Sequence, residues 1–226
     1  MNEKQTNFKY FDLISGFFVA VLIISNVASA KVARLGPFNF DAGTILFPVS
    51  YIFGDILTEV YGYKKSRRVI WLGFGCLVLL ALTLAAVEYL PAAGDWKNQA
   101  AYEAVLGFVP RLVLASIAAY WAGEFSNSYV LAKMKIWTQG RYLWTRTIGS
   151  TVVGEGIDSL VFGSMAFFGT MPFLAVLNLM GTIYVFKVLY ETVATPLTYR
   201  VVGFLKRAEG VDEYDYNTKF NPFRAD

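Results

Sequence analysis

The 226-residue chain is 56% hydrophobic with a mean hydropathy of +0.46, more apolar than a soluble domain and long enough for one compact bundle. It has no histidine, and its one cysteine, Cys76, sits in an apolar run, which excludes histidine metal sites, Ser-His nucleophiles, intrachain disulfides and multi-cysteine metal centres. The Lys and Arg behind its net charge of +3 lie mostly between apolar runs, so no direct nucleic-acid partner is expected.

A membrane-crossing helix needs about 20 mainly apolar residues. The sequence predicts an all-α integral membrane protein with six such spans, at residues 10–30, 45–61, 69–89, 108–131, 144–168 and 172–199. They form one transmembrane domain over residues 10–205, between an N-terminal segment (1–9) and a C-terminal tail (206–226). The first run has the outline of a signal peptide, with Lys4 and Lys9 before it and Ala28-Ser29-Ala30 at its end. Its length, the opening Asp12 and the later spans favour a retained helix.

Lys64, Lys65, Arg67 and Arg68 follow the second span, and Lys133, Lys135 and Arg141 follow the fourth, so these connections should face the cytoplasm. Both termini are then cytoplasmic, as expected of a multi-pass protein of the bacterial inner membrane surrounded by lipid. The connection at 90–107 reads as a polar loop carrying a short surface helix, and the charged tail beyond Lys206 reads as mobile.

The third span carries no charge between Val69 and Val87, as suits a helix facing lipid. Elsewhere Asp55 and Glu59 fall in span two, Glu124 in span four, Glu155 and Asp158 in span five, and Lys187 and Glu191 in span six. Each charge facing lipid would cost roughly 2.5 to 3.5 kcal/mol, and the set about 15 kcal/mol, comparable to a domain's whole stability. These groups should face a polar interior. Helix-to-helix ion pairing, with Arg111 and Arg146 at the interfaces, leaves an acid surplus: six carboxylates oppose one central lysine.

Helical spacing puts Asp55 with Glu59, Glu155 with Asp158, and Lys187 with Glu191, each pair on one face. Thr151 joins the Glu155 face, Tyr184 and Met180 the Lys187 face, and Tyr120, Asn127 and Ser128 the Glu124 face. Asn178 lies opposite Lys187 on an ideal helix and enters the site only if Gly181 distorts the span. Carboxylates beside aromatic rings suit a flat heterocycle with a guanine-like pair of N–H donors, or equally an organic cation. Gly149, Gly154, Gly156, Ser159 and Gly163 permit close helix packing.

The stretch Gly43-Thr44-Ile45-Leu46-Phe47-Pro48, continuing through Asp55, Glu59, Val60, Tyr61 and Gly62, resembles the queuosine precursor transporter family, of the vitamin uptake transporter group. Gly154-Glu155-Gly156-Ile157-Asp158-Ser159 through Phe162, Lys187 through Thr195-Pro196-Leu197, and Ile24-Ser25-Asn26 to Lys31 agree with it. The resemblance implies a six-helix inner-membrane importer of 7-deazaguanines, such as 7-cyano-7-deazaguanine or 7-aminomethyl-7-deazaguanine. In that setting Glu155 and Asp158 are expected to read the substrate's donor edge, with Lys187 balancing their charge or meeting its carbonyl. Asn127, Tyr184, Thr151 and Asn178 complete the expected substrate set, and Asp55, Glu59, Glu124 and Glu191 are expected to carry a coupling proton or gate the exit.

No cofactor or metal is expected. The chain has no Walker-type phosphate loop, so a carrier working without external ATPase subunits is favoured over a binding subunit of an ATP-driven importer, and a homo-oligomer is compatible with either. An intramembrane aspartyl protease built on Asp55 and Asp158 is disfavoured, because Ile52-Phe53-Gly54-Asp55 lacks the first glycine of Gly-x-Gly-Asp.

Overall fold

In a computed structural model, residues 8–28, 31–35, 38–106, 110–167, 172–216 and 218–223 are described. The predicted span ends at Ala30, Phe108 and Phe168, the flanking Lys4 and the side chain of Arg111 lie outside the described residues. Among the described residues seven α-helices follow in order: α1 (Phe11–Ala28), α2 (Phe47–Tyr61), α3 (Tyr63–Glu88), α4 (Gln99–Leu106), α5 (Pro110–Trp137), α6 (Leu143–Phe167) and α7 (Phe173–Glu209). Between α1 and α2 lies an unexpected antiparallel hairpin, β1 (Val32–Leu35) and β2 (Phe38–Asp41), and then a 3-10 turn, Ala42–Ile45. The short helix expected in the 90–107 connection is α4.

The polarity of the bundle is inverted relative to a soluble protein. On α7 the buried stripe is Lys187, Glu191, Thr195 and Thr198, whereas Val185, Leu189, Val193 and Leu197 face outward. Val193 is 80% exposed and Glu191 1%. Leu72, Leu79 and Leu82 likewise line the outside of α3, and Leu160 that of α6. Such a surface suits hydrocarbon and not water. The helices α1, α3 and α7 are each long and apolar enough to cross a membrane by length and composition. With only 15 residues, α2 is shorter than a full crossing, while α5 and α6 carry acids, hydroxyls and an amide along their length.

Two boundaries differ from expectation. The basic run Lys64, Lys65, Arg67 and Arg68 is the start of α3 and not a loop, because α2 and α3 are joined by the single residue Gly62, whose φ of +85° suits glycine. And α7 runs on past residue 199 through Pro196 to Glu209. Proline removes the N–H that Thr192 O would accept, and in the adjoining turn the Thr195 hydroxyl donates to Glu191 O at 2.9 Å.

The apolar core joins Phe18 and Leu22 of α1, Leu57 and Val60 of α2, Ile70 and Leu77 of α3, Tyr120 and Phe125 of α5, and Val202 and Leu205 of α7. The most extensive helix pairing is α5 with α6. It is set by glycine: a Cβ on Gly154 would stand 3.0 Å from Gly123 O and 2.7 Å from Asn127 Cβ, so the two backbones touch where a larger residue would hold them apart.

Candidate functional site

Four helices, α2, α5, α6 and α7, bring the charged residues together. Glu155 and Asp158, three residues apart on α6, both face α7, where the buried Lys187 bridges them. Its Nζ donates to Glu155 Oε2 at 2.6 Å and to Asp158 Oδ2 at 2.8 Å. The same ammonium stands 4.3 Å from the centre of the Phe47 ring of α2, a cation–π contact. One turn along α2, Tyr51 packs against Phe47 with ring centres 5.9 Å apart, and its fully buried hydroxyl lies by Gly123 and Asp158.

The acceptors beside this triad outnumber the donors. Glu124 of α5 is fully buried with its carboxylate against Gly54, where the missing side chain makes room for it. Among the described residues neither Glu124 oxygen accepts a hydrogen bond, and the same holds for both Glu191 oxygens, Asp55 Oδ2, Asn127 Oδ1 and Glu155 Oε1. Asp55 Oδ1 accepts from Asn127 Nδ2 at 2.7 Å and from the Ser150 hydroxyl at 3.4 Å. Thr151, on the Glu155 face, is buried, with its hydroxyl unpaired among the described residues. Buried polar groups are ordinarily hydrogen-bonded, so this interior is built for N–H donors, protons or water.

At the basic end of the bundle the charge balance reverses. Glu59 is held by Arg146 through two hydrogen bonds, Nε to Oε2 at 2.6 Å and Nη2 to Oε1 at 2.7 Å. Lys206 of α7 donates to the same carboxylate, and Lys135 of α5 reaches its backbone oxygen at 2.6 Å. Asp212 completes the network, 2.6 Å from Lys135 and 2.8 Å from Lys206. Burial opposes its charge, but the hydrogen bonds from the two lysines outweigh it and hold its carboxyl below the usual aspartate range.

The tail is not the loose segment expected of its charge. Buried Asp215 accepts the Tyr63 backbone N–H at 3.0 Å and the Thr218 hydroxyl at 2.7 Å. Arg67 donates to Asn221 O and the Trp71 indole to Pro222 O, each at 2.7 Å. Phe220 packs on Tyr63 and Tyr129, and Phe223 on Trp71 and Trp121. Aromatic residues within a charged stretch give it enough apolar contact to order as a strap along α3 and α5.

Of the expected substrate residues, Glu155, Asp158, Lys187 and Thr151 lie together, and Asn127 joins through Asp55. Tyr184 stands on the α6–α7 seam, its hydroxyl donating to Val152 O at 3.3 Å. Asn178 is exposed and accepts a 3.4 Å hydrogen bond from Thr182; α7 is unbroken at Gly181, so the distortion that would have turned Asn178 inward is not there. Among the expected gating residues, Asp55, Glu124 and Glu191 are buried near the triad, while Glu59 belongs to the basic end. Sequence reasoning missed Phe47 and Tyr51; their four-residue spacing on the Asp55 face was the available signal.

A family model described as "Putative vitamin uptake transporter" matches residues 41–201. The chain is 28% identical over 188 residues to the "Probable queuosine precursor transporter" of Bacillus subtilis, covering 81% of this chain and 82% of that protein. It is 27% identical over 166 residues to the "Queuosine precursor transporter" of Escherichia coli, covering 73% and 72%, and 23% identical over 167 residues to a Haemophilus influenzae protein named "Probable queuosine precursor transporter", covering 71% and 67%. No solved structure matches the chain. A family match over well more than half of the residues and an inverted, helical architecture together make this chain a multi-pass bacterial membrane protein that belongs to the vitamin uptake transporter family.

Proposed function

We propose that this protein imports 7-deazaguanine precursors of queuosine, such as 7-cyano-7-deazaguanine or 7-aminomethyl-7-deazaguanine, through a six-span bundle with both termini in the cytoplasm. The names of the relatives support a queuosine precursor as substrate, the family resemblance of the sequence motifs supports a 7-deazaguanine, and the placement of the basic residues supports the orientation. The observation that carries the site is the acceptor surplus. Among the described residues, with Glu59 paired at the basic end, Lys187 is the cation that Asp55, Glu124, Glu155, Asp158 and Glu191 share, and seven of their and Asn127's oxygens accept no hydrogen bond.

A planar base rich in N–H groups supplies the donors that Glu155, Asp158, Asn127 and Thr151 need, with Lys187 balancing charge. Asp55, Glu124 and Glu191 carry the coupling proton, and Glu59 with its cations closes the cytoplasmic end. Transport chemistry of this kind uses no enzyme step, and the surplus of acids favours a proton gradient over external ATPase subunits.

Uptake of radiolabelled 7-deazaguanines into proteoliposomes holding only this protein, with and without an inward proton gradient, tests the proposal. Gradient-dependent uptake that is lost in Glu155→Gln and Asp158→Asn is the expected result. Binding without uptake would point to a subunit of a larger importer, and full uptake by both variants would sink the site.

A further inference from the structure

The triad contains a ready-made seat for an ammonium group, and the chain fills it with its own lysine. Two carboxylate oxygens, Glu155 Oε2 and Asp158 Oδ2, lie 2.6 and 2.8 Å from Lys187 Nζ, and the Phe47 ring closes a third side at 4.3 Å. Two charge-assisted acceptors and an aromatic face are the elements that recognise a primary ammonium. The seat is desolvated, since Lys187 is 6% exposed, Asp158 5% and Glu155 1%. Tyr51, buried beside Asp158, and Glu155 Oε1 adjoin it, and neither the Tyr51 hydroxyl nor that oxygen has a hydrogen-bond partner among the described residues.

We infer that Glu155, Asp158 and Phe47 form an ammonium-binding subsite for the cationic arm of a substrate, and that Lys187 is the internal competitor that the arm displaces. The inference rests on the proposed function and refines it. Of the N–H donors on a 7-deazaguanine, the pair takes the ammonium of an aminomethyl substituent, leaving the ring N–H groups to the substrate-set acceptors that lack partners among the described residues, Glu155 Oε1 and Asn127 Oδ1.

In the wild type one ammonium replaces another, so much of the gain cancels, and a neutral substituent cannot make the exchange. The subsite therefore separates two ligands that share a ring: 7-aminomethyl-7-deazaguanine, charged at neutral pH, and 7-cyano-7-deazaguanine, which is not. Without the lysine, the charged ligand meets the two carboxylates uncontested.

The test is equilibrium binding of both ligands to detergent-purified wild-type protein, Lys187→Met and Lys187→Arg, each checked for monodispersity. Lys187→Met is expected to tighten the aminomethyl ligand about tenfold while moving the cyano ligand much less. Lys187→Arg keeps the charge and spans both carboxylates with a planar fork that is harder to displace, so it should weaken the aminomethyl ligand selectively; this variant decides the matter if Lys187→Met does not fold. An unchanged affinity ratio in the folded variants, or equal loss of both ligands in Lys187→Met, overturns the subsite. Failure of both ligands to bind the wild type instead removes the substrate reading on which the inference rests.

Discussion

Arg146 grips Glu59 across the α2–α6 interface with two parallel hydrogen bonds of 2.6 and 2.7 Å, and both side chains are almost wholly buried. The geometry is the planar fork on a carboxylate that makes arginine pairs specific. Removing one partner of a buried pair strands the other and costs about 3–5 kcal/mol. The two ends of this pair are not equivalent. Glu59→Gln leaves Arg146, Lys135 and Lys206 facing each other around Asp212, whereas Arg146→Gln leaves Glu59 with two lysines. Thermal unfolding in detergent should show the larger loss for Glu59→Gln; a larger loss for Arg146→Gln would contradict this charge count.

Gly154 and Gly181 make a matched contrast within the helices. An added methyl at Gly154 meets Gly123 O at 3.0 Å and Asn127 Cβ at 2.7 Å, whereas none is met within 4 Å at Gly181. Gly154→Ala should destabilise by about 1–3 kcal/mol through overpacking. Gly181→Ala should be neutral or stabilising by up to about 1 kcal/mol, because alanine is the better helix former. Chemical unfolding of both variants measures the difference, and equal effects would refute the close α5–α6 approach.

Asp215→Ala removes the acceptor for the Tyr63 N–H inside a buried contact. The loss should be about 1–3 kcal/mol locally. Because the strap is held by other contacts as well, its expected signature is limited trypsin cleavage at Lys219, faster in the variant than in the wild type with the helices intact.

Acid should release the same strap. Asp212 is held below the usual aspartate range by Lys135 and Lys206 against the cost of burial. A carboxyl with a depressed folded-state pKa stabilises above its ordinary pKa of about 4, and that contribution disappears as the pH falls through the folded value. Hydrogen exchange of residues 211–223, corrected for intrinsic rate, should therefore rise below about pH 4, and Asp212→Asn should blunt that rise.

Spacing within one helix made the first half of the site legible. Glu155 and Asp158 are three residues apart, and the lysine that serves both could be foreseen from charge alone. Pairing between helices could not. Glu59 read as a spare acid because Arg146, Lys135 and Lys206 are 87, 76 and 147 residues away and meet it only in the folded bundle. Asn178 shows the converse: an ideal helical wheel put it opposite Lys187, and the regular α7 keeps it there. The strap was hidden because charge dominates its composition, while Phe220, Phe223 and Asp215 decide its position.

The single-residue joint at Gly62 makes α2 and α3 a linkage with one pivot and no slack. Asp55 and Glu59 ride on one arm; Tyr63, whose N–H is fastened to Asp215, begins the other. A tilt of α2 that rearranged the acids would exert torque through this pivot on the strap, and pulling on the strap would turn α2. Load applied to the strap is thus delivered, without an intervening loop to absorb it, to Glu59 and then Asp55 along α2.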